Sequence, residues 1–174
     1  MSHVMLDLET LGLRAGCRVL SIGAVEFSPR GLGAEFYTVL NADDQDRLFI
    51  DPGTAAWWDR QAKEARRVFT DPKVPTPEGL ASFNAYCASI AGARDLRVWG
   101  CGADFDQPIL AAVYAMQAPD LKLPWQWGSR CYRTLKNLRK DVVMARQGTY
   151  HNALDDAKSQ ALHAIQLLNT MQAW

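Results

Sequence analysis

Apolar and polar positions alternate or cluster in a way that divides the chain into two regimes. Val4–Thr10 (VMLDLET), Arg18–Phe27 (RVLSIGAVEF) and Glu35–Leu40 (EFYTVL) are rich in residues that favour extended backbone, and the last two are separated by the turn residues Ser-Pro-Arg-Gly-Leu-Gly. Three such segments joined by short turns predict an antiparallel meander. Asp51-Pro52 then offers a helix N-cap with proline at the first helical position, and the pattern predicts a helix over Ala55–Phe69. A second helix is predicted from about Thr76 to Ile90, after a Pro-containing loop over Asp71–Pro77.

Leu96–Trp99 (LRVW) reads as a short apolar strand closed by Gly-Cys-Gly, with a helix following over Phe105–Met116. Leu135, Leu138 and Val142 recur at helical spacing within Thr134–Val143, and Leu154, Ala157, Ala161, Ile165 and Leu168 form one stripe of a long helix over Asn152–Met171. The order βββ followed by α, β and α elements predicts an α/β fold. With 174 residues, 48% of them hydrophobic, the chain suits one domain over residues 1–174.

Nineteen basic and nineteen acidic residues leave no net charge, which removes a whole-molecule attraction to nucleic acid but leaves room for a protein that grips a few nucleotides and carries its own cations. Cys17, Cys87, Cys101 and Cys131 are scattered, and free thiols in a reducing cytosol are expected. With no basic-then-apolar leader and no apolar run approaching about 18 residues, a soluble, cytoplasmic protein with no membrane partner is expected.

The chemistry lies in the acids. Asp7 and Glu9 stand two apart on a strand whose neighbours are apolar, so both carboxylates face one side. Two adjacent negative charges at the core end of a strand call for a cation between them; the alternative is a strand edge with solvated acids. Asp106 ends Gly-Cys-Gly-Ala-Asp-Phe-Asp, where a strand gives way to a helix, and either it or Asp104 could serve only as a helix cap. His151 and Asp156 lie five residues apart at a helix start, with Asp155 as a competing cap, and a histidine there can be structural or catalytic. Four acids and one histidine, each at an element terminus, form the combination that points to a metal site.

Asp7-Leu-Glu9-Thr10, Gly102-Ala-Asp-Phe105-Asp106 and His151-Asn-Ala-Leu-Asp-Asp156-Ala resemble, in order, the three motifs of the DEDDh exonucleases, the DnaQ-like branch of the ribonuclease-H-like superfamily. Ser21-Ile-Gly-Ala-Val, Ala56-Trp-Trp58, Val98–Asp106 and Pro124-Trp125 look closer still to a bacterial and phage exoribonuclease-like subgroup related to exodeoxyribonuclease VIII. Gly102 departs from the asparagine that many DnaQ-like proteins carry, so any contact made by that amide is lost.

The resemblance implies a mixed five-stranded sheet, with the antiparallel meander β1–β3 plus parallel strands, flanked by α-helices. It implies a 3′-to-5′ exonuclease acting on single-stranded RNA or DNA 3′ ends. Asp7, Glu9, Asp106 and Asp156 would hold two divalent ions, Mg²⁺ or Mn²⁺, and His151 would act as general base. Thr10, Leu11 and Phe105 would lie against the terminal nucleotide, and homodimerisation is consistent with the resemblance. Trp57 and Trp58, adjacent on a helix, would point about 100° apart, one into the core and the other available to stack on a base. Arg130, Arg133, Lys136, Arg139 and Lys140 either follow a phosphate backbone, with Arg133 nearest the site, or form a solvated helix face. His3 and His163 are expected to be structural or surface residues. Competing readings are a dinucleotide or oligonucleotide hydrolase, a non-catalytic nucleic-acid-binding module on the same fold, and an interaction domain using Trp125-Gln-Trp127.

Overall fold

The computed structural model describes residues 2–90 and 96–174. Five strands form one sheet in the order β3-β2-β1-β4-β5: β1 Ser2–Thr10, β2 Val19–Ser28, β3 Gly31–Val39, β4 Leu96–Gly100 and β5 Ser129–Cys131. β1 pairs antiparallel with β2, and β2 with β3, which is the expected meander. β4 runs parallel to β1, and β5 parallel to β4. Strand β5 escapes the hydrophobic pattern because it is three residues of Ser-Arg-Cys. It is pinned instead by Gln107, whose Nε2 donates to the carbonyls of Val98 and Arg130 at 2.9 Å each.

The helices are α1 Pro52–Trp58, α2 Thr76–Ile90, α3 Asp106–Gln117, α4 Tyr132–Leu138 and α5 Ala153–Met171. Side chains alternate across β1. Val4, Leu6 and Leu8 enter one cluster with Leu80 and Phe83 of α2 and Ile109, Leu110 and Val113 of α3, while Met5 enters a second with Ala157, Ala161 and Ala164 of α5. Helices therefore cover both faces. On the α5 side, Met5 is followed by Asp7 and Glu9, so the apolar face of β1 turns acidic at its end.

Two predicted helices are shorter than their patterns. The helix expected over Ala55–Phe69 stops at Trp58, and the chain re-forms as a 3₁₀ segment over Ala65–Phe69. Trp58 is 2% exposed, its ring lies 5.4 Å from that of Phe69 edge-on, and its indole N–H donates to the Thr10 carbonyl at 2.8 Å. Folding back over Trp58 buries more apolar surface than a straight helix would. The helix expected over Thr134–Val143 likewise ends at Leu138, which is 66% exposed, while Leu135 and the half-buried Val142 pack against the same cluster without a continuous helix between them. Arg139 bonds Asp141 at 2.8 and 2.6 Å rather than continuing a helical row of cations.

The docking of α5 sets the geometry of the acidic end. Gly23 is the β2 partner of Asp7, and a Cβ there would overlap the backbone of Ala153 and Leu154. The absence of a side chain at Gly23 lets the start of α5 lie directly on the sheet beside Asp7. Asn152 caps that helix, its side chain accepting from Leu154 and Asp155 N–H at 3.1 Å each, so Asp155 is not the cap. Asp155 instead accepts from the Thr149 N–H at 2.7 Å.

Candidate active site

Asp7 and Glu9 from β1, Asp106 from the start of α3, and His151 and Asp156 from the start of α5 converge on one cavity of about 640 Å³. Thr10, Trp57, Trp58, Phe105 and Arg133 also line it. Ligand atoms of Glu9, His151 and Asp156 all lie within 4.8 Å of one another. Leu11 does not line the cavity: it is 8% exposed and packs with Leu20, Val39 and Trp58. Leu13, 72% exposed, takes the wall position expected of Leu11. Of the five cations in the anticipated basic row, Arg133 reaches the cavity, held by its donation to the Cys101 carbonyl at 3.0 Å. The two tryptophans divide as expected: Trp58 is core, and the half-buried Trp57 stands edge-on to the His151 ring at 4.8 Å.

Each acid is held in a different way. Asp7 Oδ1 accepts from Gln160 Nε2 at 2.7 Å. Gln160 lies four residues after Asp156 on α5, one helical turn along the same face, and that spacing is the sequence signal that could have found it. Asp106 is buried, and its Oδ2 accepts from the Cys101 N–H at 2.5 Å while its Oδ1 has no partner among the described residues. The strand-to-helix turn that allows this contains Gly102 at φ +127°, a backbone conformation that glycine adopts without the steric cost an asparagine would carry. Asp156 accepts from the His151 N–H at 3.3 Å and forms an ion pair with Arg146, a residue with no local pattern to mark it. His151 itself has φ +60°, an uncommon backbone for a non-glycine residue and one found preferentially at functional positions.

Burying the acids together raises their affinity for protons. Burial, then the charges of Asp106 and Glu9, holds Asp7 well above the usual carboxylate range despite the hydrogen bond from Gln160. Glu9 is pushed up to about 8, by burial first and then by Asp106, and burial brings Asp106 to about 7 despite its backbone hydrogen bonds. Burial, then the Arg146 charge, lowers His151 and so favours the neutral imidazole.

These carboxyls bind protons more tightly folded than unfolded, so above their folded values they oppose folding, and that opposition fades as pH falls. In EDTA the protein should therefore melt at a higher temperature at pH 7 than at pH 8.5. The buried histidines pull the other way only below about 6.5. Saturating Mg²⁺ should reduce or reverse the trend, because cations relieve the same repulsion. Melting curves independent of pH in EDTA over this window would show that burial and mutual repulsion do not raise these carboxyls as described.

A buried carboxylate oxygen with no partner among the described residues, three carboxyls held above their ordinary range, and an almost wholly oxygen donor set fit hard divalent cations such as Mg²⁺ or Mn²⁺. No described helix is long and apolar enough to cross a membrane.

The Rv2179c-like 3′-5′ exoribonuclease domain family matches residues 2–168. No protein of curated function matches the chain in sequence. Among solved structures, the nuclease domain of 3′hExo, a DEDDh family member bound to rAMP, superposes with a TM-score of 0.69 at 12% identity, covering 99% of this chain and 94% of that one. Exonuclease X in complex with 5′ overhanging duplex DNA gives 0.60 at 19% identity, covering 99% and 93%. The metal-free form of the E. coli ExoI–ssDNA complex gives 0.60 at 17% identity, covering 98% of this chain and 40% of that one. At these identities the likeness establishes the fold, that of the ribonuclease-H-like exonucleases.

Proposed function

Because the chain belongs to the Rv2179c-like 3′-5′ exoribonuclease domain family, we propose that residues 1–174 act as one exonuclease domain that removes nucleoside 5′-monophosphates from the 3′ end of single-stranded RNA. The observation that carries the reading is the convergence of Asp7, Glu9, Asp106, His151 and Asp156 on one cavity from three separate elements. Asp7, Glu9, Asp106 and Asp156 would hold two Mg²⁺ or Mn²⁺ ions, which when bound supply charge neutralisation at the scissile phosphate and a lowered pKa for the attacking water.

The chain's own groups supply the rest. His151, edge-on to Trp57 and with its proton affinity lowered by burial, would accept the proton of the attacking water at a ring nitrogen. Thr10, at the bulged end of β1, and Leu13 and Phe105 on the cavity wall would border the terminal nucleoside. Trp57 offers one face of its ring to a base, and Arg133 offers a cation to a phosphate upstream of the cleaved bond.

The test is product analysis of 5′-labelled single-stranded RNA and matched DNA in Mg²⁺, Mn²⁺ and EDTA. A metal-dependent ladder shortening from the 3′ end is expected, faster on RNA. A ladder on DNA alone would overturn the choice of sugar. Cleavage confined to dinucleotides would replace the substrate by a short oligonucleotide, and no cleavage in either metal would leave a binding module on the same fold.

A further inference from the structure

Arg146 is the one cation ion-paired to an acid of the site among the described residues, and it does not line the cavity. Its placement is built from several directions. The guanidinium carbon lies 3.6 Å from the centre of the Tyr150 ring, close cation–π stacking. The backbone around it is fastened to α5. The Gln147 N–H donates to Ser159 Oγ at 2.9 Å, and that hydroxyl lies 3.2 Å from the Gln147 carbonyl. Thr149 N–H donates to Asp155 at 2.7 Å and His151 N–H to Asp156 at 3.3 Å. Gly148 at φ +67° completes the turn, with no room for a Cβ against the Asp155 carboxylate.

A loop fastened so closely to the helix that bears Asp156 delivers a fixed positive charge to that carboxylate. Asp156 then has one oxygen on Arg146 and the other on the His151 N–H, both needed elsewhere once a divalent ion approaches. Arg146 Nε is buried and has no acceptor among the described residues, so the guanidinium is held by its charge and its stacking more than by a full set of hydrogen bonds. A cation with part of its hydrogen bonding unmet can shift along the Tyr150 ring when a competing cation arrives.

Resting on the exonuclease reading, we propose that Arg146 is a positioning residue for Asp156: an internal counter-cation that aims and neutralises this carboxylate in the metal-free protein and gives it up to the incoming divalent ion. Metal loading is then an exchange of one cation for another. The charge count fits, since four carboxylates balance two divalent ions, and a freed Arg146 would match the single negative charge of a phosphodiester.

The experiment is Mn²⁺ binding by titration calorimetry to EDTA-treated, dialysed protein in the absence of nucleic acid, comparing wild type with Arg146→Gln and Arg146→Lys. Removing a like charge a few ångströms from the ion should tighten Mn²⁺ binding about tenfold in Arg146→Gln. Arg146→Lys, which keeps the charge, should remain within about threefold of wild type. The metal-free melting temperature should fall in Arg146→Gln and recover once Mn²⁺ is present. A merely structural arginine predicts the opposite sign, because a damaged site binds metal more weakly; unchanged or weaker Mn²⁺ binding overturns the proposal. Should Arg146→Gln not fold, Tyr150→Ala keeps the charge but removes the ring that holds it, and tighter or unimproved binding there decides the matter in the same way. The readout needs no turnover, so failure of the exonuclease reading and failure of this proposal are separate results.

Discussion

Asp7→Ala should reduce metal-dependent cleavage by at least about 10³-fold, because the metal contribution to transition-state charge stabilisation is several kcal/mol and each 1.36 kcal/mol is a factor of ten. The residue stands on the central strand β1, between the Gln160 amide and the charges of Glu9 and Asp106. Its loss would remove a proposed metal ligand while lowering the repulsion inside the acidic cluster. The variant should therefore melt in EDTA at or above the wild-type temperature even though it is inactive. That pairing separates loss of chemistry from loss of fold. A variant still active in Mg²⁺, or one inactive because it is unfolded, would remove Asp7 from the centre of the site.

His151→Ala should slow turnover by about 10²–10⁴-fold, the usual share of a general base. One geometric fact makes the test sharper than the number. A His151 ring nitrogen lies within 4.8 Å of carboxylate oxygens of Glu9 and Asp156, so the imidazole could itself ligate an ion. As base it should leave Mn²⁺ affinity within a few-fold of wild type; as ligand its loss should weaken binding together with turnover. Residue 151 has φ +60°, a conformation that costs alanine about 1–2 kcal/mol. His151→Asn, which tolerates that backbone better, controls for the strain: it should be as slow as His151→Ala but more stable. Near-normal turnover in either variant would assign the proton to another acceptor.

The meeting of the five candidate residues in one cavity was legible because it is written in local signals. A period-two pair on an apolar strand, a glycine-bounded strand end and a histidine five residues before an aspartate each place a charged group at an element terminus, and the resemblance supplied the reason for them to meet. The meander and the long helix α5 followed from strong periodicity. What stayed hidden is long-range. Trp58 ends α1 by packing under Phe69, a contact no helical pattern contains. Leu11 and Leu13 are equally apolar, and only the bulge at the end of β1 and the fold of the segment after it decide which one is buried. β5 forms by pairing with β4, and Gln107 adds a tie to the Arg130 carbonyl across 23 residues of chain. Arg146 meets Asp156 through a loop whose shape depends on Ser159 and Asp155 side chains, so its place beside the acid could not be inferred from spacing.

The seating of α5 against Gly23 also has a consequence for biosynthesis. Chains emerge from the ribosome N-terminus first, and here the meander that carries Asp7 and Glu9 precedes the helix that carries Asp156 by more than a hundred positions. A nascent chain that has formed β1 to β4 and the start of α3 displays three of the acids but neither Asp156 nor its histidine, and α5 has yet to settle on the glycine beside β1. Such a chain lacks part of the proposed site while it is still tethered to the ribosome. Completion of the candidate site is thereby deferred to one late packing event, and the side chain that position 23 lacks is what allows that event to close.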